Sequence, residues 1–310
     1  MSLLKGSSRN CAARHAPRVS RREVNKSVAW SIATLKKMKP IAIQLYSVRD
    51  DAERDIEATL TALKEYGYEG VEFAGLYGKT PEEMKALVEK IGLTPISAHV
   101  ALPDLLRDTA GVINTYKTVG CKHIVIPWLG EDDRPGGANY LATREAIVKI
   151  GEAAHDAGMS LSYHNHEFDF VLLESGETGF DNLYDTTPAE LLKMQMDTCW
   201  VSVAGQDPIH YLDKYANRCP LLHLKDYVGQ KSNNMYELIG IESKPKETVK
   251  QEFEFRPVGY GVQNFAPIIE KAEKSGVEWF IVEQDYPSMN KSRMECAKLS
   301  ITYLKETLGA

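Results

Sequence analysis

The sequence predicts an α/β protein built as one (β/α)8 barrel, with an excursion after the seventh strand. Apolar runs of strand length alternate with helix-patterned segments through residues 40–308, as a parallel sheet with helical crossovers requires. Four of those runs, "MSLSYHNHEF" (159–168), "LLKMQMDTCW" (191–200), "PLLHLKD" (220–226) and "VEWFIVEQD" (277–285), stop on His, Asp or Glu. The C-terminal ends of barrel strands converge, so side chains far apart in sequence meet at one mouth. A doubly wound open sheet is the alternative, but no GxGxxG follows the first strand.

Taken in order, "PIAIQLYSV" (40–48) is the first strand and 51–67 its helix, ending at Gly67. "GVEFAG" (70–75) precedes a helix over 80–92 in which Thr80 caps, Pro81 opens and Gly92 stops the turn sequence. Strand three is 93–100 with a helix over 102–120, and strand four is 122–130 with a helix over 140–158. Strand five (159–166) is followed by a short helix over 186–192, strand six by a helix over 207–218. After strand seven (220–226), the polar stretch 228–258 is too long for a bare connector and reads as an excursion beside the mouth. A helix over 264–276, strand eight (277–283) and a helix over 292–308 close the pattern. "VGYGVQNF" (258–265) reads as a glycine-permitted turn into a helix.

Composition narrows the class. The chain has 310 residues, 43% hydrophobic and 26% charged, enough for a full core in a single barrel. A net charge of −6 argues against a nucleic-acid partner, which demands a basic face. Cys11, Cys121, Cys199, Cys219 and Cys296 are odd in number with no CxxC, so no disulfide framework is expected. Residues 1–39 read as a tail or degraded leader: "SRREVNK" followed by "SVAWSIATL" resembles a decayed twin-arginine signal. Residues 40–310 form the barrel. Cytoplasm is the default compartment and export the alternative, with no membrane span expected. The oligomeric state is left open, a homo-oligomer included.

Inward positions at the strand ends are Gln44, Tyr46, Glu72, His99, Trp128, His164, His166, Asp197, His223, Lys225 and Glu283. This mixture of nitrogen and oxygen donors suits one divalent ion of the Mn²⁺, Mg²⁺, Co²⁺ or Zn²⁺ kind. Asp197, His223 and Glu283 are expected to ligate it. The fourth ligand lies among His164, His166, Glu167 and Asp169, and Glu167 is assigned to it here. Gln44, Tyr46, Glu72, Trp128, His164 and Trp200 are assigned to the substrate, the two tryptophans as its wall. Glu283 or His166 is the expected base, with Lys225 and His99 as acid or oxyanion partners. His15, His123, His155 and His210 lie on the tail, at a strand start or in helices, and receive no role.

The pieces "IQLYSVRD", "YHNHEFDF", "MDTCWVSVAGQDP", "LLHLKD" and "IVEQD" together resemble the xylose isomerase-like TIM-barrel superfamily, in its sugar phosphate isomerase/epimerase branch. The resemblance spans about residues 40–308 and implies a metal held by an acid on strand five, Asp197, His223 and Glu283. Epimerases of the superfamily carry Glu on strand five and swap protons between two glutamates. Here the aligned residue is His164. That departure puts epimerisation in doubt and brings forward dehydratases and lyases of the group, such as inosose dehydratase, which need one proton removed next to a ketone. The resemblance also reaches endonuclease IV, but Trp200 stands where that enzyme has a metal-binding His. The expectation is a metal-dependent isomerase or epimerase acting on a keto- or aldose-type sugar or cyclitol. A dehydratase or lyase is the first alternative, a non-catalytic sugar-binding barrel the second.

Overall fold

Alternation with period two decides the architecture, because successive strand residues face opposite sides of the sheet. In the computed structural model, which describes residues 39–231 and 253–309, the outward set is Ile41, Ile43, Val71, Phe73, Ile124, Ile126, Leu161, Tyr163, Met194, Met196, Leu222, Leu224, Phe280 and Val282. All are buried in one continuous core beneath the helices. The leader expected over 1–39 falls, Lys39 apart, outside the described residues.

Eight parallel strands close the barrel. They are β1 (Ile41–Gln44), β2 (Gly70–Phe73), β3 (Thr94–His99), β4 (His123–Ile126), β5 (Ser160–His164), β6 (Lys193–Asp197), β7 (Leu221–Leu224) and β10 (Trp279–Val282), with β10 pairing both β7 and β1. The remaining strands, β8 (Asp226–Val228) and β9 (Glu254–Arg256), form an antiparallel ribbon from the two ends of the expected excursion. The middle of that excursion lies outside the described residues. Its return is pinned by Asp226, whose carboxylate accepts from the backbone amides of Gly259 (3.0 Å), Gly261 (2.8 Å) and Gln263 (3.2 Å). A Cβ on Gly261 would lie 2.2 Å from Asp226 Oδ1, so the turn admits only glycine there.

Local chemistry corrects several boundaries. The first strand stops at Gln44 because its side chain accepts the Tyr46 amide at 3.0 Å and turns 45–48 into a 3₁₀ segment. The helix expected over 51–67 is two, Arg49–Arg54 and Ile56–Tyr66, because Asp55 caps the second through the Ala58 amide (3.0 Å). Asp108 divides 102–120 in the same way, into Leu102–Arg107 and Thr109–Val119. The helix expected over 186–192 is replaced by Gly179–Asp185, started by the Thr178 cap. Pro188 disfavours helical backbone at Thr187, and 186–192 runs as turns into β6. By contrast the helix Pro81–Ile91 has a full capping box from Thr80 and Glu83 and ends on Gly92 at φ +79°. Among the described residues, no helix is long and apolar enough to cross a membrane.

Candidate active site

The ends of β5, β6, β7 and β10 bring His164, Asp197, His223 and Glu283 together, one donor atom from each within 4.8 Å of the others. All four are buried. His164 Nε2 lies 3.6 Å from Asp197 Oδ2 and 4.0 Å from Glu283 Oε2, while His223 Nδ1 lies 3.1 Å from Glu283 Oε2. Asp197 opens the helix Thr198–Val203, and its Oδ1 accepts the amides of Cys199 (2.8 Å) and Trp200 (3.1 Å). Its Oδ2 is buried with no hydrogen-bond partner, 3.6 Å from His164 Nε2 and 3.7 Å from Lys225 Nζ.

The donor set fits a divalent cation. An orphaned buried carboxylate oxygen costs free energy unless a cation or donor meets it. Two imidazoles and two carboxylates are a borderline set for which Zn²⁺, Co²⁺ and Mn²⁺ are suitable. The outer nitrogens of both rings are already held, His164 Nδ1 by Gln195 Oε1 (2.9 Å) and His223 Nε2 by Glu72 Oε1 (2.8 Å). Metal-binding histidines are generally oriented in this manner.

Around that centre the charges are matched. Lys225 Nζ lies 2.5 Å from Asp285, 2.9 Å from Glu283 and 3.7 Å from Asp197. Burial disfavours the Lys225 ammonium, but these three carboxylates outweigh it and hold its pKa well above the ordinary value. Burial likewise opposes a charge on His223, yet Glu72 and Glu283 at its two nitrogens raise it to about 10. Asp197 is pushed up to about 7 by burial, against Lys225. His166 is driven well below its ordinary value, first by burial and then by His164 and Lys225, so its ring is neutral, and its Nδ1 makes no hydrogen bond.

A cavity of about 280 Å³ opens above the centre, lined by Tyr46, Ala74, His99, Pro127, Trp128, His164, His166, Lys225, Glu283 and Asp285. That volume suits one small ring. Trp128 forms the apolar wall, edge-on to His166 at 4.7 Å, and Arg134 stacks over it at 4.5 Å. Among the described residues, Lys225 is the one lysine or arginine in the lining, and it is engaged by carboxylates.

Five residues stand elsewhere than expected. Glu167 is turned out of the centre. Asp169 accepts the His166 amide (2.8 Å) and the Tyr163 hydroxyl (2.9 Å), which coils the chain immediately after β5 and aims Glu167 toward Lys231. His164, assigned to the substrate, stands instead with Asp197, His223 and Glu283 in the group whose donor atoms could hold a cation. Trp200 is fully buried behind the wall, 5.1 Å from the His166 ring and packed on Phe253 and Phe255, so it supports the cavity without facing it. Gln44 and Glu72 are fully buried beneath the ligands and hydrogen-bonded to each other at 2.8 Å. Asp285 and Gln195 went unassigned, although Gln195 lies two residues before Asp197 on the same face of β6 and Asp285 two residues past Glu283, just beyond β10.

The sequence model of the xylose isomerase-like TIM barrel matches residues 60–307. The chain belongs to that family. A relative is the inosose dehydratase of Lacticaseibacillus casei, 24% identical over 269 residues that cover 78% of this chain and 86% of that one. A sugar phosphate isomerase/epimerase from Parabacteroides distasonis has the same fold, with a TM-score of 0.69 and 22% identity across 88% of this chain and 95% of that one. So does the IolI protein with a bound zinc atom, with a TM-score of 0.63 and 12% identity across 87% of this chain and 98% of that one. Across the xylose isomerase-like barrel, the cavity described here occupies the C-terminal face, where barrel enzymes place their chemistry.

Proposed function

We propose that this enzyme is a divalent-metal-dependent dehydratase or lyase. It would act on an unphosphorylated keto-sugar or ketocyclitol by removing a proton next to the carbonyl and expelling the group beyond it. The observation that carries the reading is His164 at the end of β5. A proton-swapping epimerase needs two acids on opposite faces of the substrate, whereas here the acids that line the cavity, Glu283 and Asp285, both follow β10. Elimination needs an asymmetric pair, one base and one acid. The likeness to an inosose dehydratase supports the same choice.

His166 serves as the base, because its ring is neutral and its Nδ1 is unbonded. Lys225 serves as the acid, since its three carboxylates keep it charged and it borders the cavity. Trp128 and Tyr46 border the apolar side of the ring site. A cation held by His164, Asp197, His223 and Glu283 would supply Lewis-acid stabilisation of the charge that grows on the carbonyl oxygen. Two imidazoles favour zinc, cobalt or manganese over magnesium. Among the described residues, no arginine lines the cavity and its lysine is already paired, so they offer a phosphate no cationic cradle.

Proton NMR in D₂O, on cobalt- or zinc-loaded protein with inososes, 3-keto-glucosides and ketohexoses, tests the reading. Exchange next to the carbonyl with formation of an enone or release of the leaving group is expected. Exchange that yields only an inverted or isomerised sugar would replace it with the epimerase reading.

A further inference from the structure

Beneath the cavity, one carboxylate and one amide touch three histidines. Glu72 Oε1 lies 2.8 Å from His223 Nε2 and 3.0 Å from His99 Nε2, and Gln195 Oε1 lies 2.7 Å from His99 Nε2 and 2.9 Å from His164 Nδ1. The Gln195 amide nitrogen donates to Glu72 Oε2, as does Ser97 Oγ at 2.6 Å. The direction of this network is anchored in the backbone. Gln44 Oε1 accepts the Tyr46 N–H, which leaves the Gln44 amide nitrogen to donate to Glu72 Oε1 at 2.8 Å.

An ionised carboxylate only accepts hydrogen bonds. Facing Glu72, Gln195 must therefore present its NH₂ and turn its oxygen toward His99 and His164. Each ring nitrogen that meets Gln195 Oε1 or Glu72 Oε1 must then carry a proton. His164 becomes the Nδ1–H tautomer with a lone pair on Nε2. His223 keeps its proton on Nε2, and its Nδ1, whose proton meets Glu283 Oε2 at 3.1 Å, is the nitrogen that gives up its proton to the ligand side. His99 is protonated on Nε2, so in the neutral ring Nδ1 is an acceptor. Its side chain is 11% exposed, lines the cavity and makes no other hydrogen bond among the described residues.

We propose that Glu72 and Gln195 are positioning residues that set the tautomers of all three histidines at once. They direct His164 Nε2 and His223 Nδ1 to the cation and make His99 Nδ1 a hydrogen-bond acceptor for a substrate hydroxyl. The part concerning the cation rests on the metal-dependent reading above; the tautomers themselves do not. The same polarity would give a neutral His99 an acceptor role in place of the expected one as acid or oxyanion partner.

The substitution Glu72→Gln is isosteric and sharply diagnostic. With its oxygen on the His223 side, the new amide nitrogen faces the Gln195 NH₂, Gln195 flips, and His164 loses its Nε2 lone pair. With its nitrogen on the His223 side, His223 must accept on Nε2 and carries its proton on Nδ1. Either orientation removes one ring from the cation side.

Nitrogen–proton correlation spectra of isotope-labelled histidine in the wild-type protein, without metal and with cadmium as the probe cation, decide the tautomers. Protonated Nε2 on His99 and His223, protonated Nδ1 on His164, and cadmium coupling to His164 Nε2 and His223 Nδ1 are expected. A bare Nε2 on His99 or His223, or a bare Nδ1 on His164, overturns the proposal. The expected tautomers without cadmium binding would sustain the network and defeat the metal reading instead. In Glu72→Gln, cadmium affinity by calorimetry should fall about 10–100-fold, with the tautomer of His164 or His223 inverted. Wild-type affinity with unchanged tautomers also overturns it. Should that variant not fold, the wild-type spectra still decide.

Discussion

The floor of the barrel is closed by Ala42, Ile96, Val125, Leu221 and Ile281, a small dry cluster with Trp279 packed against it. Two residues further along the same strand faces, Ala42 gives way to Gln44, Leu221 to His223 and Ile281 to Glu283. The side chains of this cluster have no polar atom to satisfy. The next layer holds His164, Asp197, His223, Lys225 and Glu283, all buried. The contrast shows how the barrel tolerates so many charges. Each is matched by a counter-charge or hydrogen bond, and the apolar layer keeps water from entering below, where it would weaken those pairings. Rigidity comes from the floor and chemistry from the layer above it.

Breaking the upper layer should have the largest effect. Asp197→Ala removes the carboxylate whose Oδ2 makes no hydrogen bond, and we expect loss of bound metal by elemental analysis together with a fall in turnover of at least ~10³-fold, or about 4 kcal/mol. Full activity in that variant would sink the metal centre. Breaking the lower layer should cost stability instead. Leu221→Ala opens a cavity in a fully buried site and should lower the unfolding free energy by about 2–5 kcal/mol in denaturant titration, with metal stoichiometry unchanged. If Leu221→Ala lost the metal as readily as Asp197→Ala, the two layers would not be separable.

The anchoring turn beside the site sharpens the comparison further. Gly261→Ala would place a methyl 2.2 Å from Asp226 Oδ1 and 2.4 Å from the Tyr227 carbonyl. A loss of about 1–3 kcal/mol is expected, read as a lowered melting temperature; no change would show that the turn relaxes freely. The smallest effect at neutral pH lies at the bottom of β4. His123 is buried, its Nδ1 has no partner, and burial lowers its pKa from 6.5 to about 4. Between those values the unfolded chain binds the proton and the folded one does not, so stability must fall as the pH drops below 6.5. The slope should approach ~1.4 kcal/mol per pH unit, and His123→Gln should flatten the acid limb of melting temperature against pH. An unchanged limb would assign the acid sensitivity elsewhere.

Much of this was readable from the chain. The alternation of strands and helices, the stops at Gly67 and Gly92, and the convergence of Asp197, His223 and Glu283 at strand ends all follow from local pattern. Period two tells which side of a strand a residue faces, and on that ground Gln44, Glu72 and Trp128 were all placed inward. It cannot tell how high along the barrel axis each one sits. Strands in a closed barrel are tilted and staggered, so residues with the same facing arrive at different depths. Gln44 and Glu72 end under the ligands, Trp128 at the wall. Trp200 follows β6, on the helix that Asp197 caps, and that helix carries it behind the wall.

The fourth ligand position shows the same division. The sequence by itself determined that an imidazole or an acid from "YHNHEF" would stand near Asp197, because the strand had to end there. Only the tertiary structure decided that it is His164, because Asp169 closes a turn on the Tyr163 hydroxyl and the His166 amide, and that turn carries Glu167 away. The polarity of the network below, from the Tyr46 amide through Gln44 and Glu72 to Gln195, joins β1, β2 and β6. No local segment contains it, since hydrogen bonds across a barrel exist only once the strands have closed.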